Sequence, residues 1–186
     1  TYELGWRYNT EVLQAVVATY FVEFKDRLLA TQIGAGIVGN PTALQNVGDV
    51  ETKGVEVGVR WQISPNWSWY NSLSYNQSQY QDDVVSVKLD GNGDPVTTIT
   101  PTGGKNVVDA PEELFKSELG YDNGTFFGKL GLDYTGERYF TYTNDLVANS
   151  GDGLGKVDSY TLLDMTLGYR LKDFGIGKNL SIQINV

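Results

Sequence analysis

Apolar and polar residues alternate along most of the chain, and the alternation is longest between residues 47 and 80. The first part of this stretch places an apolar side chain at every second position, at Val55, Val57, Val59, Trp61 and Ile63. A period of two over a dozen residues predicts a β-strand with one apolar and one polar face. Residues 64–66 (Ser-Pro-Asn) predict a tight turn, and the alternation then resumes over residues 67–80. We therefore predict a hairpin whose strands exceed the usual length of about five or six residues.

The same pattern predicts further strands at residues 2–8, 12–26, 112–121, 125–140, 159–171 and 180–186. In the strand at 12–26 the apolar face is predicted to hold Val16, Ala18, Tyr20, Val22 and Phe24. The opposite face of that strand is predicted to hold Glu23, Lys25 and Arg27. The short turns between strands fall near residues 9–11, 64–66, 122–124 and 172–179. The long loops cover residues 28–46, 82–106 and 141–157, and residues 84–89 and 96–100 predict a small hairpin inside the second loop.

About eight long strands whose connections are alternately short and long are typical of an outer-membrane β-barrel. A closed barrel satisfies every backbone polar group in lipid, where water is absent. The apolar faces would then contact lipid and the polar faces the lumen. No stretch approaches eighteen consecutive apolar residues, so the sequence predicts no transmembrane helix. The alternative is a soluble β-sandwich or a stack of meanders, which predicts shorter strands and no systematic difference between loops.

Composition narrows the possible chemistry. The chain has no cysteine and no histidine, which excludes zinc sites, disulfides and histidine-dependent catalytic triads. The formal net charge of −9 argues against a nucleic-acid partner, which requires basic clusters. Adjacent carboxylates such as Glu112 and Glu113 point to opposite faces of a strand and form no acid–base pair. We therefore predict a protein that is not an enzyme and that has no cofactor.

Four segments resemble the TonB-dependent outer-membrane receptors. They are N-V-G-D-V-E-T-K-G-V-E-V at 46–57, Y-F-V-E-F-K-D-R-L-L-A at 20–30, D-A-P-E-E-L-F-K-S-E-L-G-Y at 109–121 and N-L-S-I-Q-I-N-V at 179–186. The resemblance covers essentially the whole chain. It implies that residues 1–186 are an all-β, antiparallel, up-and-down part of a transmembrane barrel of 22 strands, at about strands 14 to 21. Relative to that family, the N-terminal plug domain, the TonB box and the final strand are absent from this sequence.

The resemblance also implies a function in the cell outer membrane. It implies TonB-dependent active uptake of a scarce nutrient, with a ferric siderophore preferred to cobalamin or a glycan. The expected partners are the lipid bilayer, the TonB complex through the plug, and the small-molecule ligand, with the receptor a monomer. The alternative is a self-closed eight-stranded barrel with a structural or adhesive role. A barrel enzyme is disfavoured because no histidine is present to activate a nucleophile.

Candidate functional residues follow from their positions on the predicted strands and loops. Aromatic residues at the loop ends of strands are candidates for ligand contact or for an interfacial girdle: Tyr80, Tyr139, Phe140 and Tyr142. A girdle at the opposite rim is predicted from Trp61, Trp67 and Trp69. The residues predicted to face the lumen are Glu56, Arg60, Lys129, Asp133, Asp164 and Arg170. Asp90 to Asp94 place oxygen ligands as a calcium loop does, but prolines replace the required glycine and glutamate, so a plain turn is the main prediction.

Overall fold

The computed structural model describes residues 1–32, 42–89, 91–146, 155–174 and 177–186. The fourteen strands in this part of the chain are β1 (Tyr2–Asn9), β2 (Leu13–Phe24), β3 (Leu28–Gln32), β4 (Thr42–Asn46), β5 (Val50–Ser64), β6 (Trp67–Tyr80), β7 (Val84–Leu89), β8 (Pro95–Thr100), β9 (Glu113–Asp122), β10 (Phe126–Thr135), β11 (Arg138–Tyr139), β12 (Lys156–Val157), β13 (Tyr160–Phe174) and β14 (Gly177–Asn185). The described residues contain no helix that is long and apolar enough to cross a membrane.

Eight of these strands form one antiparallel sheet. Their order, β1-β2-β5-β6-β9-β10-β13-β14, follows the chain, so each strand pairs with the one before and the one after it. β1 and β14 are the two edges of the sheet. β5 and β13 have 15 residues each, which exceeds the usual strand length of about five or six residues. The prediction of an all-β, up-and-down antiparallel sheet of eight long strands is therefore confirmed.

The connections at the two ends of the sheet differ, as the sequence predicts. At one end the strands are joined by short turns, such as the one between β9 and β10, where the Asn123 side chain accepts hydrogen bonds from the Thr125 and Phe126 amides at 3.0 and 2.8 Å. At the other end each long loop carries a two-stranded hairpin of its own, formed by β3–β4, β7–β8 and β11–β12. We call the end with the short turns the turn end and the end with the long loops the loop end.

Three regions differ from the predictions. The region 28–46, predicted as loop, contains β3 and β4, since backbone pairing between loop strands does not require a regular apolar pattern. The strand predicted over 125–140 ends at Thr135, and β11 starts a separate loop hairpin after Gly136 and Glu137. The turn predicted over 172–179 is shorter, because β13 extends to Phe174 and β14 begins at Gly177. The hairpin predicted over 84–89 and 96–100 is confirmed.

The sheet has one apolar and one polar face, which we define through β5. The apolar face holds Val55, Val57 and Val59 with the residues in register with them, and the polar face holds Glu56 and Arg60 with theirs. Large side chains on the apolar face are highly exposed, including Leu163 at 71% and Ile184 at 67%. An exposed band of this kind is the surface that a barrel presents to lipid.

The predicted orientation of β2 is wrong. Val16, Ala18 and Tyr20 are in register with Gly58, Glu56 and Gly54, so they lie on the polar face. Glu23 pairs with Glu51, and both lie on the apolar-face side close to the loop end. Both faces of β2 are rich in apolar residues, and alternation alone does not distinguish them. Gly58 and Gly54 on β5 explain why this side of β2 lies on the polar face, because they leave space for Val16 and Tyr20.

The buried core of the described residues lies at the loop end. It consists of Val47, Val50, Tyr80, Val84 and Val107, and Ala110 and Tyr142 pack against it. The sheet between the two ends has no such core. The loop bases are therefore packed as a small globular unit on top of the sheet.

Candidate functional site

The first and second long loops are joined by backbone and carboxylate hydrogen bonds. The Asp49 amide donates to Asp82 Oδ2 at 2.9 Å, and the Gln81 amide donates to the Asp49 carbonyl at 2.8 Å. Gly48 has a φ of 77°, and a Cβ at this position would lie 2.7 Å from the Cβ of Asp82. The close approach of the two loops therefore requires glycine here.

Tyr80 lies at the centre of the buried core and has no exposed surface. Its hydroxyl accepts a hydrogen bond of 3.4 Å from the Val108 amide, and its ring lies 5.9 Å from that of Tyr142. Thr102, which is also fully buried, donates to the Asp82 carbonyl and accepts from the Val84 amide. In this arrangement Tyr80 supports the loop bases and presents no surface to a ligand. Tyr142 is partly buried against the same core.

The second and third long loops are joined through two asparagines. The Asn106 amide donates to Asn144 Oδ1 at 2.7 Å, and Asn144 Nδ2 donates to the Asn106 carbonyl at 3.0 Å. Asn144 has a φ of 55°, a conformation that asparagine tolerates better than most residues. The Asp109 amide also donates to the Tyr139 carbonyl at 2.8 Å. The bases of all three loops thus form one connected layer.

Arg138 is the centre of a cluster of charged and aromatic side chains at the loop end. Its Nε lies 2.7 Å from Asp109 Oδ1, and its guanidinium carbon lies 5.9 Å from the Phe140 ring and 5.8 Å from the Tyr160 ring. The side chain of Arg138 is 21% exposed, whereas Phe140 is 48% exposed. We call Arg138, Asp109, Phe140 and Tyr160 the rim cluster. An ordered guanidinium between two aromatic rings can bind an anionic or aromatic group.

Tyr139 and Phe140 point to different sides of the loop end. Tyr139 lines a polar recess of about 270 Å³ together with Tyr134 and Glu113, which belong to the apolar-face side. Phe140 contacts Arg138, which also contacts Tyr160 on the polar-face side. Lys156 lies over the Tyr139 ring, and its hydrogen bond to Glu137 raises the pKa of the lysine. Tyr139 therefore occupies a girdle-like position, and Phe140 is the better candidate for ligand contact.

All six residues predicted to face the lumen lie on the polar face. Lys129 pairs with Glu118 at 2.9 Å, and Asp133 pairs with Lys116 at 2.9 Å. Asp164 lies against Gly131 on the next strand. These pairs form a ladder of alternating charges across β9, β10 and β13.

Arg170 closes this ladder at the turn end. Its Nη1 and Nη2 donate to the two carboxylate oxygens of Asp122 at 2.7 and 2.9 Å, and its guanidinium carbon lies 4.3 Å from the centre of the Phe127 ring. Two-point contact with a carboxylate and stacking on a ring fix the guanidinium in one orientation. This arrangement ties β9, β10 and β13 together at the turn end.

The three predicted girdle tryptophans lie on the apolar-face side near the turn end. Trp61 is opposite Trp69 in the ladder, and the Trp69 indole donates to Ser117 Oγ at 3.0 Å. Trp67 packs against Tyr121 with ring centres 4.8 Å apart. Their common level on the apolar-face side is the arrangement expected of an interfacial aromatic belt.

Sequence reasoning missed Arg138 and Asp109. Asp109 begins the segment 109–121 that resembles the family, but nothing in that segment indicates its partner Arg138, which lies 29 residues later in the sequence. The described residues contain no group of three or more histidine, cysteine or carboxylate residues able to hold a metal ion. Asp90, the first residue of the possible calcium loop at residues 90–94, lies outside the described residues.

Comparison with known proteins extends these observations. The family model described as "TonB dependent receptor-like, beta-barrel" matches residues 1–186. The pesticin receptor of Yersinia enterocolitica is 28% identical over 171 residues, which is 91% of this chain and 21% of that receptor. The chain therefore spans about a fifth of the length of this relative.

Solved structures show the same fold. The ferric yersiniabactin uptake receptor FyuA from Yersinia pestis has a TM-score of 0.63 and 22% identity, over 90% of this chain and 21% of that chain. The siderophore receptor PiuA from Acinetobacter baumannii has a TM-score of 0.67 and 18% identity, over 97% of this chain and 22% of that chain. The matched relatives are receptors or transporters. The match over the full sequence and the eight-stranded amphipathic sheet lead to one conclusion, which is that the chain belongs to the TonB-dependent receptor-like β-barrel family of the outer membrane.

Proposed function

We propose that this chain is part of the wall of an outer-membrane receptor that takes up a ferric siderophore with energy supplied through TonB. The observation that carries the proposal is the family match over all 186 residues, together with siderophore receptors among the relatives. The apolar face contacts the bilayer, and the polar face, with its six predicted residues, lines the lumen. Residues 1–186 are then one part of a larger barrel, in which the complete receptor is a monomer.

The loop end supplies the ligand-facing surface in this proposal. Phe140 is about half exposed, and Arg138 is held against it and against Tyr160 by the ion pair with Asp109. A ferric siderophore carries ring or chelating groups and often negative charge, which an arginine between aromatic rings can contact. Tyr80 and Tyr142 support this surface from below, because they belong to or pack against the buried core.

The ligand class is tested by titrating the purified full-length receptor with a panel of ligands. Ferric catecholate, ferric hydroxamate and ferric carboxylate siderophores, cobalamin and an oligosaccharide are compared by quenching of tryptophan fluorescence. We expect tight binding of one ferric siderophore. Binding of cobalamin or the oligosaccharide, with no ferric siderophore bound, would contradict the proposal.

Two variants test the rim cluster with the siderophore that binds best. Phe140→Ala and Arg138→Gln are expected to weaken binding by about tenfold each, which corresponds to about 1.4 kcal/mol. Tyr139→Ala is the matched control, since Tyr139 lies beside Phe140 in sequence but on the apolar-face side. Equal effects of Tyr139→Ala and Phe140→Ala would show that the rim cluster is not the contact surface.

A further inference from the structure

A recess interrupts the apolar face of the sheet near the turn end. Its volume is about 520 Å³, within the ~300–1,000 Å³ of small-molecule sites, and it extends over β6, β9, β10 and β13. The side chains of the apolar face that line it are Trp67, Leu119, Tyr121, Phe126, Leu130, Met165 and Leu167. Its one charged lining residue is Lys129, whose ammonium pairs with Glu118 on the polar face. The recess therefore suits an apolar group.

Gly128 is the reason that the surface is lower here. It is opposite Tyr121 on β9 and Leu167 on β13, so it lies on the apolar face between two large side chains. By the same register, six other glycines of the sheet lie on the polar face: Gly5, Gly54, Gly58, Gly120, Gly131 and Gly168. A Cβ at Gly128 would lie 3.0 Å from the Thr166 carbonyl oxygen, so a larger residue would be crowded.

Two pairs of aromatic rings stand on either side of Gly128. Trp67 and Tyr121 have ring centres 4.8 Å apart on β6 and β9. Phe126 and Tyr169 have ring centres 4.8 Å apart on β10 and β13. Because packed rings restrict each other's orientation, the walls of the recess are already in place before anything binds.

The recess has the position and length of one leaflet of the bilayer. Short turns of outer-membrane barrels lie on the periplasmic side, so the turn end belongs to the periplasmic leaflet. From Phe126 to Leu130 the recess follows β10 for about 13 Å, which is about half of the ~25 Å apolar band of such barrels. β5 and β14 flank the four strands that form it, so no further strand of the barrel covers it.

We propose that this recess binds one acyl chain of a phospholipid from the periplasmic leaflet and retains that lipid longer than the rest of the apolar face does. A chain in the recess contacts the floor at Gly128 and both aromatic walls, whereas a chain on the flat part of the face contacts protein on one side. More apolar surface is therefore removed from its surroundings in the recess, and more dispersion contacts form. The proposal does not depend on which nutrient the receptor transports.

The test is photo-crosslinking of the full-length receptor in vesicles of phosphatidylethanolamine and phosphatidylglycerol. The vesicles contain a trace of phosphatidylethanolamine with a diazirine in one acyl chain, and labelled peptides are identified by mass spectrometry. We expect residues 119–130 and 165–167 to be labelled severalfold more than Val55 and Leu73, which are also exposed on the apolar face.

Three variants show whether the recess itself causes this labelling. Met165→Trp and Leu130→Trp place an indole in the recess and keep the face apolar. Leu163→Trp is the matched control, because Leu163 lies two residues from Met165 on the same strand and face but does not line the recess. Heat-modifiable electrophoretic mobility identifies the folded fraction of each variant before labelling.

Both filling variants are expected to lower the labelling of residues 119–130 to the level of Leu73, and the control is expected to leave it unchanged. Even labelling over the whole apolar face of the unaltered receptor would overturn the proposal, because ordinary contact with the bilayer would explain it. Retained labelling in both filling variants, or an equal loss in Leu163→Trp, would overturn it too. Stronger labelling by lipid A with the same diazirine would contradict the assignment to a phospholipid.

Discussion

At the scale of single residues, glycines on the polar face allow large side chains from the next strand to lie across the sheet. A Cβ at Gly54 would lie 2.5 Å from the Tyr20 hydroxyl oxygen, and a Cβ at Gly168 would lie 2.5 Å from Cε2 of Phe127. Tyr20 also donates to Asn76 Oδ1 at 3.1 Å. These contacts hold aromatic rings on a face that is otherwise polar, and the Phe127 ring then supports Arg170.

Gly168→Ala tests this packing. We expect the added methyl group to displace the Phe127 ring and the stacked Arg170, at a cost of about 1–3 kcal/mol. The unfolding midpoint of the purified receptor in denaturant should therefore fall. Gly91→Ala is the matched control, because a Cβ at Gly91 would have no neighbour within 4 Å. An unchanged midpoint for Gly168→Ala would show that the ring moves aside without strain.

The sequence was informative about charged residues on the polar face and less so about β2 and the rim cluster. Glu56 and Arg60 each stand between two apolar neighbours, so period-two alternation alone assigns their face. Tyr20 is amphipathic, and its place depends on a glycine 34 residues later in the chain. Arg138 acquires its partners only when two loops meet. Alternation describes one strand at a time, whereas both of these outcomes depend on a neighbouring segment.

At the scale of elements, the three loop bases form one layer that rests on the buried core around Tyr80. Asn144 contributes much of the link between the second and third loops. It makes two hydrogen bonds with the Asn106 backbone and one of 3.3 Å from Nδ2 to the Thr141 carbonyl, and its φ is 55°. These hydrogen bonds fix the bases of the second and third loops relative to each other.

Asn144→Ala is expected to separate the second and third loops. The change removes three hydrogen bonds, each worth about 1 kcal/mol, and it disfavours the positive φ. Limited proteolysis should then cleave within residues 101–112 and 141–146 sooner than in the unaltered receptor. Asn144→Gly keeps the backbone conformation without the side chain, so an intermediate rate is expected for it. Equal rates for all three proteins would contradict the link.

The order of the eight long strands and the positions of the three loops were predicted from the sequence because both follow from alternation and from turn residues. β3, β4, β11 and β12 were not predicted. They are two to five residues long, and their pairing comes from the geometry of the loop end rather than from an apolar pattern.

At the scale of the whole molecule, the apolar face is an exposed hydrophobic band between two aromatic levels. Trp61, Trp69 and Tyr121 mark the level near the turn end, and Tyr75 and Tyr134 mark the level toward the loop end. Such a surface is stable in a bilayer and aggregates in water. The side chains of the sheet therefore suit two environments, with an apolar face for lipid and a polar face for the barrel interior.

Two adjacent leucines in β13 lie on opposite faces of the sheet, so they allow a matched test of the two environments. Leu163 is 71% exposed on the apolar face, and Leu162 is 59% exposed on the polar face, opposite Asp133. Leu163→Arg should destabilise the barrel by less than the ~2–4 kcal/mol of an arginine at the bilayer midplane, because Leu163 is opposite Leu132, two residues from Tyr134 at the loop-end aromatic level. Leu162→Arg should be tolerated. Heat-modifiable electrophoretic mobility of the receptor extracted from outer membranes measures the folded fraction of each variant. A similar loss of folded receptor in the two variants would contradict the assignment of faces.

We propose that this chain belongs to a receptor that moves a ferric siderophore across the outer membrane with TonB-supplied energy. We would measure the accumulation of ⁵⁵Fe-labelled siderophore by cells that express the full-length receptor as their only route of entry, in strains with and without TonB. We expect accumulation in the first strain, and surface binding without accumulation in the second. Equal accumulation in both strains, or none in either with every siderophore supplied, would contradict the claim.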